Sequence, residues 1–209
     1  MCKKMSDAVV LLPWLKQELF EFSKGILVTG GAGFIASHVV ASLVEKCPDC
    51  LIINLDKLDY CATLKNLECV AQRTNYRFIQ GDICDSYFVK LMFETEKIDI
   101  VLHFAAQTHV DNYFWCSSEF TKVNVCGSHV LVKDEHEAAV EKFIDVSTDE
   151  VYGDSIEEDL DESSPHRPTN PYAASKAVAG CIVLSYWEKD GWWMTSKTWN
   201  EHTDGQYWG

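Results

Sequence analysis

Positive charge is scarce in this chain. Lysine and arginine number 18 against 32 aspartates and glutamates, so 209 residues carry a net charge of −14. A surface for nucleic acid or anionic lipid needs basic clusters to neutralise phosphates, so neither partner is expected. A phosphorylated small molecule is not excluded, because glycine loops and helix N-termini bind phosphate through backbone N–H groups. Long apolar runs are missing too. No stretch of about 18 apolar residues occurs, so no membrane-spanning helix is expected. "AVVLLPWL" at 8–15 follows two lysines, but it is short, is interrupted by Pro13 and lacks a small-residue cleavage site. It reads as a docking segment rather than a secretion signal. Internal repeats are absent, as are paired metal-ligand motifs. The nine cysteines are irregularly spaced, and "CPDC" at 47–50 has neither a second CxxC nor paired histidines beside it. No metal site is expected, and the cysteines read as reduced thiols in a cytoplasmic protein.

What is present is a core-forming chain, 47% hydrophobic, of a length that suits one domain. From residue 25 short apolar runs alternate with stretches of helical spacing. "GILVTG", "LIINLD", "YRFIQGD", "DIVLHFAA" and "KFIDVST" read as strands. "FIASHVVASLVEK", "SYFVKLMFETE", "SEFTKVNVCGSHVLVKDEHEA" and "PYAASKAVAGCIVLSYWEK" read as helices, with Gly127 a close-packing point in the third. This order predicts right-handed βαβ units and an α/β, doubly wound, Rossmann-type parallel sheet flanked by helices. The acidic, proline-punctuated "EEDLDESSPHRPTNP" at 157–171 reads as a solvated loop, with a lid over the site as the alternative. A sixth strand is due after Lys189, but the tryptophan-rich tail shows no alternation that identifies one. The expected organisation is an N-terminal extension at 1–22, a dinucleotide-binding domain carrying the catalytic residues at 23–189, and an atypical tail at 190–209.

"TGGAGFIAS" joins the first strand to the first helix. Gly30 and Gly33, with Ala36 in the third position, match a G-x-x-G-x-x-G/A loop that lets backbone approach a pyrophosphate. Asp56 ends the second strand, where a carboxylate accepts ribose hydroxyls and repels a 2′-phosphate. That favours NAD over NADP. Asp82 ends the third strand, within reach of an adenine amino group. Tyr172 and Lys176 stand four apart at the start of a helix and share one face. A nearby ammonium stabilises a phenolate, so such a tyrosine can take a proton from an alcohol.

"TGGAGFIAS", "NLDKLDY", "GDICD", "LHFAAQTHVD", "STDEVYG" and "NPYAASK" together resemble the extended short-chain dehydrogenase/reductase family. Within it they resemble the dTDP-glucose 4,6-dehydratases. The similarity runs from Gly25 to Lys189. It implies an NAD-dependent lyase of nucleotide-sugar metabolism that turns dTDP-glucose into its 4-keto-6-deoxy derivative, and a homodimeric assembly. Tyr172, assisted by Lys176, would deprotonate the sugar 4-hydroxyl, and Thr148 would hydrogen-bond that oxygen. Glu150 would remove the C5 proton while Asp149, kept protonated, would protonate the departing C6 hydroxyl. Phe34 and Ile35 would flank the pyrophosphate. Lys57 and Asp59 would lie with Asp56 near the adenosine ribose, Asp82 and Ile83 at the adenine, and Ala105, Ala106 and Thr108 along cofactor and sugar. Tyr172 and Lys176 would also touch the cofactor.

Adjacent strand residues point to opposite faces, so backbone must leave strand geometry at Asp149 for both acids to reach one sugar. The resemblance has departures. "HVDNYFWCSS" lacks the small hydroxyl residue usual after "HVD", and Val123 stands where threonine is usual. The family's C-terminal nucleotide-sugar-binding region is not found, so the chain is expected to be C-terminally truncated and impaired in turnover, with an open sheet edge after the fifth strand. The alternatives are a catalytically silent NAD-binding remnant or partner of a full-length relative, and an epimerase or decarboxylase relative, which would not need Asp149 and Glu150.

Overall fold

The computed structural model describes residues 22–108, 117–153, 164–190 and 194–199. The N-terminal docking segment, the "HVDNYFWC" departure and the acidic part of the 157–171 loop lie outside them.

Strand β1 (Lys24–Thr29) leads into helix α1 (Phe34–Lys46), then β2 (Cys50–Asp56). A 3-10 turn (Leu64–Leu67) precedes β3 (Tyr76–Gln80), α2 (Ser86–Thr95) and β4 (Ile100–His103). The helix expected next is three segments. α3 (Ser117–Phe120) and α4 (Ser128–Glu137) flank a π-helical stretch (Thr121–Gly127). Strand β5 (Lys142–Thr148) passes into a 3-10 turn (Asp149–Tyr152), and α5 (Pro171–Asp190) follows. A sixth strand, β6 (Met194–Trp199), lies in the tail and pairs in parallel with β5 from Phe143 to Thr148. That corrects the expectation of an open edge at β5. The ladder is made by backbone groups, which any non-proline residue supplies, so no apolar alternation was needed.

The sheet order is β3-β2-β1-β4-β5-β6, with every pairing parallel. Alternation along the strands divides the core. Leu27, Ile53, Leu55, Val101 and Phe143 face α2, α4 and α5 and form one buried cluster with Val89, Met92, Leu131 and Val183. Ile26, Val28 and Ile52 face α1 and pack on Ala36, Val40 and Val44. These helix residues recur at intervals of four and put one stripe on the sheet. Each fully buried Leu, Ile, Val or Phe contributes about 1.5–3 kcal/mol. The strand order reverses between β1 and β4, the first half of the sheet growing outward on one side of β1 and the second half on the other, so a crevice opens above the C-terminal ends of these two strands.

Candidate active site

The loop after β1 is built for close approach. Gly30 has φ +70°, and a Cβ there would stand 2.8 Å from the Ala105 backbone at the end of β4. A Cβ on Gly31 would overlap the Asn54 side chain. Helix α1 then begins at Phe34 with Gly33 as its cap, which offers no side chain to the first-turn N–H groups. These donors and the positive end of the helix dipole stand ready for an anion. Phe34 and Ile35, the first two residues of that turn, are exposed.

Asp56, nearly buried at the end of β2, accepts the Ala32 N–H at 3.0 Å and the Leu58 N–H at 2.7 Å. The second bond holds Leu58 at φ 61°, a left-handed conformation costly for leucine. A carboxylate has about four acceptor positions, so Asp56 retains capacity for ribose hydroxyls. Lys57 spans two neighbouring acids, Asp59 at 3.0 Å and Asp82 at 3.9 Å. Burial works against the Lys57 charge, but its hydrogen bond to Asp59 and the charges of Asp82 and Asp59 outweigh that and raise its pKa. The same hydrogen bond, with one from the Tyr60 N–H, holds Asp59 below the usual carboxylate range. Gln107 Nε2 also donates to Asp59, at 2.9 Å. Ile83 is buried in the core, where its side chain fills the space a Gly127 Cβ would need. The close-packing role of Gly127 is therefore real, and Ile83 can meet a ligand only through its backbone.

Sequence reading missed the polar chain behind β4. His103 is fully buried, with Nδ1 2.7 Å from Thr29 Oγ1 and Nε2 2.8 Å from Ser128 Oγ. Burial pushes its pKa down to about 4, so the ring is neutral at physiological pH. Ser128 Oγ donates to the Asn124 carbonyl, and the Asn124 side chain meets both backbone groups of Gln107 and Ser175 Oγ. This network fixes the Ala105–Gln107 segment against the π-helical stretch and α5. Thr108 is exposed beside it.

At the end of β5 the backbone turns. Thr148 Oγ1 accepts the Glu150 N–H at 3.3 Å and caps the 3-10 turn that carries Asp149 and Glu150. The two acids thus leave strand alternation at the C-terminal end of β5. Gly153, at φ +87°, closes the turn, and a Cβ there would collide with the Arg167 carbonyl. Glu150 Oε2 accepts a 2.6 Å hydrogen bond from Asn170 Nδ2, and Asn170 Oδ1 accepts the Ala173 N–H. Asn170 therefore caps α5 and ties its start to Glu150. The sequence signal was present: Asn followed by Pro is a helix N-terminus pattern. Tyr172 is half-buried at that start, edge-on to Phe120. One turn on, Lys176 is buried with Nζ 3.6 Å from Asp145 Oδ1.

The glycine loop, Asp56, the Lys57–Asp59–Asp82 cluster, the Ala105–Gln107 segment and the Thr148–Glu150 turn all stand at C-terminal strand ends. The loop geometry and the uncapped first turn of α1 fit the pyrophosphate of a dinucleotide. A half-buried tyrosine and a buried lysine, on a helix whose start Asn170 ties to Glu150, can move protons on an alcohol substrate.

A sequence profile described as GDP-mannose 4,6 dehydratase matches residues 27–206. The human dTDP-D-glucose 4,6-dehydratase is 71% identical over 168 residues, which are 80% of this chain and 48% of that protein. The chain thus spans about half the length of the curated relatives it matches. Among solved structures, DesIV, a dTDP-glucose 4,6-dehydratase from Streptomyces venezuelae with NAD bound, is 39% identical at a TM-score of 0.77. It covers 82% of this chain, which spans 54% of DesIV. The UDP-Glc/GlcNAc 4-epimerase from Campylobacter jejuni is 28% identical at a TM-score of 0.78, with 83% and 52% covered.

Proposed function

The chain belongs to the GDP-mannose 4,6 dehydratase family, and from that premise we propose that it is an NAD-dependent 4,6-dehydratase of a nucleotide-linked glucose, dTDP-glucose foremost. One observation carries the reading within the family: the Thr148–Asp149–Glu150 turn, with Glu150 joined through Asn170 to the start of the Tyr172–Lys176 helix. An epimerase has no use for two acids there.

Gly30, Gly33, Phe34 and Ile35 would hold the pyrophosphate, and Asp56 with Lys57 and Asp59 the adenosine ribose. Asp82 and the Ile83 backbone would meet the adenine, and Ala105, Ala106 and Thr108 the nicotinamide half. Bound NAD supplies the hydride acceptor for C4 and the donor for C6. Tyr172 takes the proton of the sugar 4-hydroxyl, aided by the Lys176 ammonium, and Thr148 Oγ1 hydrogen-bonds the same oxygen. The C4 carbonyl makes the C5 proton acidic. Glu150, oriented by Asn170, removes it, Asp149 gives a proton to the departing C6 hydroxyl, which leaves as water, and Glu150 returns its proton to C5 when C6 is reduced.

The groove between the π-helical stretch and α5, lined by Val125, Pro171, Ala174 and Val178 with Ser118, Thr121 and Ser175, is the surface at which a homodimer would form. The free thiols of the seven described cysteines support a cytoplasmic setting. Among the described residues, no helix is long and apolar enough to cross a membrane.

The test is conversion of dTDP-glucose at saturating NAD, followed by the absorbance of the 4-keto product in alkali. Turnover supports the reading. NAD binding without turnover favours the silent NAD-binding alternative. Absence of NAD binding in a folded sample refutes both.

A further inference from the structure

Asp145 sits inside β5, fully buried, on the sheet face it shares with His103 and Phe143. Neither carboxylate oxygen has a hydrogen-bond partner among the described residues. Its ion-pair partner is Lys176, itself buried, at 3.6 Å. The neighbouring ring on β4 offers no alternative donor. His103, in register on β4, is engaged through both ring nitrogens by Thr29 and Ser128 and stays neutral. On the other side β6 brings Ser196 into register. Tyr172 lies one helical turn before Lys176.

A buried carboxylate without hydrogen bonds is tolerable only beside an opposite charge, and a buried ammonium has the same need. Each therefore constrains the other. We propose that Asp145 is a positioning residue that draws the Lys176 ammonium towards β5 and so limits how much of its charge and hydrogen bonding reaches Tyr172 and the ribose of bound NAD. The inference rests on the NAD site proposed above. An anion in contact with an ammonium offsets its field on neighbouring groups. The chain thus carries, beneath the residues that would do the chemistry, a carboxylate that competes for their cation.

The test compares the unmodified protein, Asp145→Asn, Lys176→Met and the double variant. NAD affinity is measured by calorimetry from mildly acid to alkaline pH. Tyr172 ionisation is followed by ultraviolet difference absorbance against Tyr172→Phe. Asp145→Asn should bind NAD roughly tenfold more tightly, the size of one charge-assisted hydrogen bond, and Tyr172 should ionise at lower pH. Both gains should vanish in the double variant. Asp145→Thr, neutral and suited to a strand, serves if the asparagine variant does not fold. If neutral variants leave affinity and ionisation unchanged or weaken binding, while Lys176→Met weakens NAD binding, the proposal is wrong. If Lys176→Met leaves NAD binding intact, the cofactor-site reading fails first and the proposal falls with it.

Discussion

Glu150 and Asn170, 20 positions apart, are joined by a 2.6 Å hydrogen bond, and the Asn170 side chain also caps helix α5 through the Ala173 N–H. One amide side chain therefore both starts the helix that bears Tyr172 and aims the proposed C5 base. The two roles can be separated. Asn170→Ala should cost about 1 kcal/mol of stability in urea unfolding through the lost cap, and dehydration should slow at least tenfold. Asn170→Ser should recover most of the stability, because serine caps well, but not the rate, because its hydroxyl is too short to reach Glu150. Full recovery of rate by serine would show that Asn170 acts only as a cap.

Glu135 is fully buried in α4, with neither carboxylate oxygen hydrogen-bonded among the described residues. Burial pushes its pKa from 4.5 up to about 8. The folded protein then holds a proton that the unfolded chain releases, so the contribution of Glu135 to stability is full at acid pH and falls as pH rises from 4.5 to about 8. Glu135→Gln should flatten this decline. Glu135→Leu should raise stability at alkaline pH by about 2–4 kcal/mol. Denaturant midpoints recorded across the pH range decide it, and a midpoint that rises with pH through this window would contradict the account.

Gly30→Ala places a methyl group at positive φ and 2.8 Å from the Ala105 backbone. The expected outcome is a loss of about 1–3 kcal/mol together with NAD binding too weak to detect by calorimetry. A folded alanine variant that binds NAD normally would remove this loop from the cofactor site.

In the proposed cofactor site Asp56 should make NAD bind more tightly than NADP, because a carboxylate at the ribose would repel a 2′-phosphate. Asp56→Ser should narrow the preference. It should also destabilise the protein, since the Ala32 and Leu58 N–H groups lose their acceptor. Equal binding of both dinucleotides by the unmodified protein would refute the assignment.

Five strands were legible because each is a short apolar run, and the helices because their buried residues recur at three and four. Strand β6 was not, since its pairing with β5 uses backbone groups and leaves no mark on "MTSKTW". The glycine loop was legible because it joins a strand to a helix, and the Tyr172–Lys176 spacing because residues four apart share one helix face. Asp145 was not, because inside the apolar run "KFIDV" a single acid does not disturb a strand reading. Glu135 could have been found. It stands four residues after Leu131 and three after Val132, both fully buried, so helical spacing places it on the core face. The His103 network escaped because it joins β1, β4, α4 and α5, and its members are far apart in sequence.

The switch in strand order between β1 and β4 also bears on the order of assembly. β1 pairs on one side with β2, 26 residues further along at Lys24 and Cys50, and on the other with β4, 74 further along at Ile26 and Ile100. Nearby strands close smaller loops and are expected to pair first. During synthesis the β1–β2–β3 half can form while the other flank of β1 has no neighbour, until His103 has emerged. Pulsed hydrogen exchange on refolding protein should therefore show amides of Ile52 to Leu55 protected before those of Ile100 to His103. In that interval the exposed flank of the central strand can be captured by a neighbouring chain.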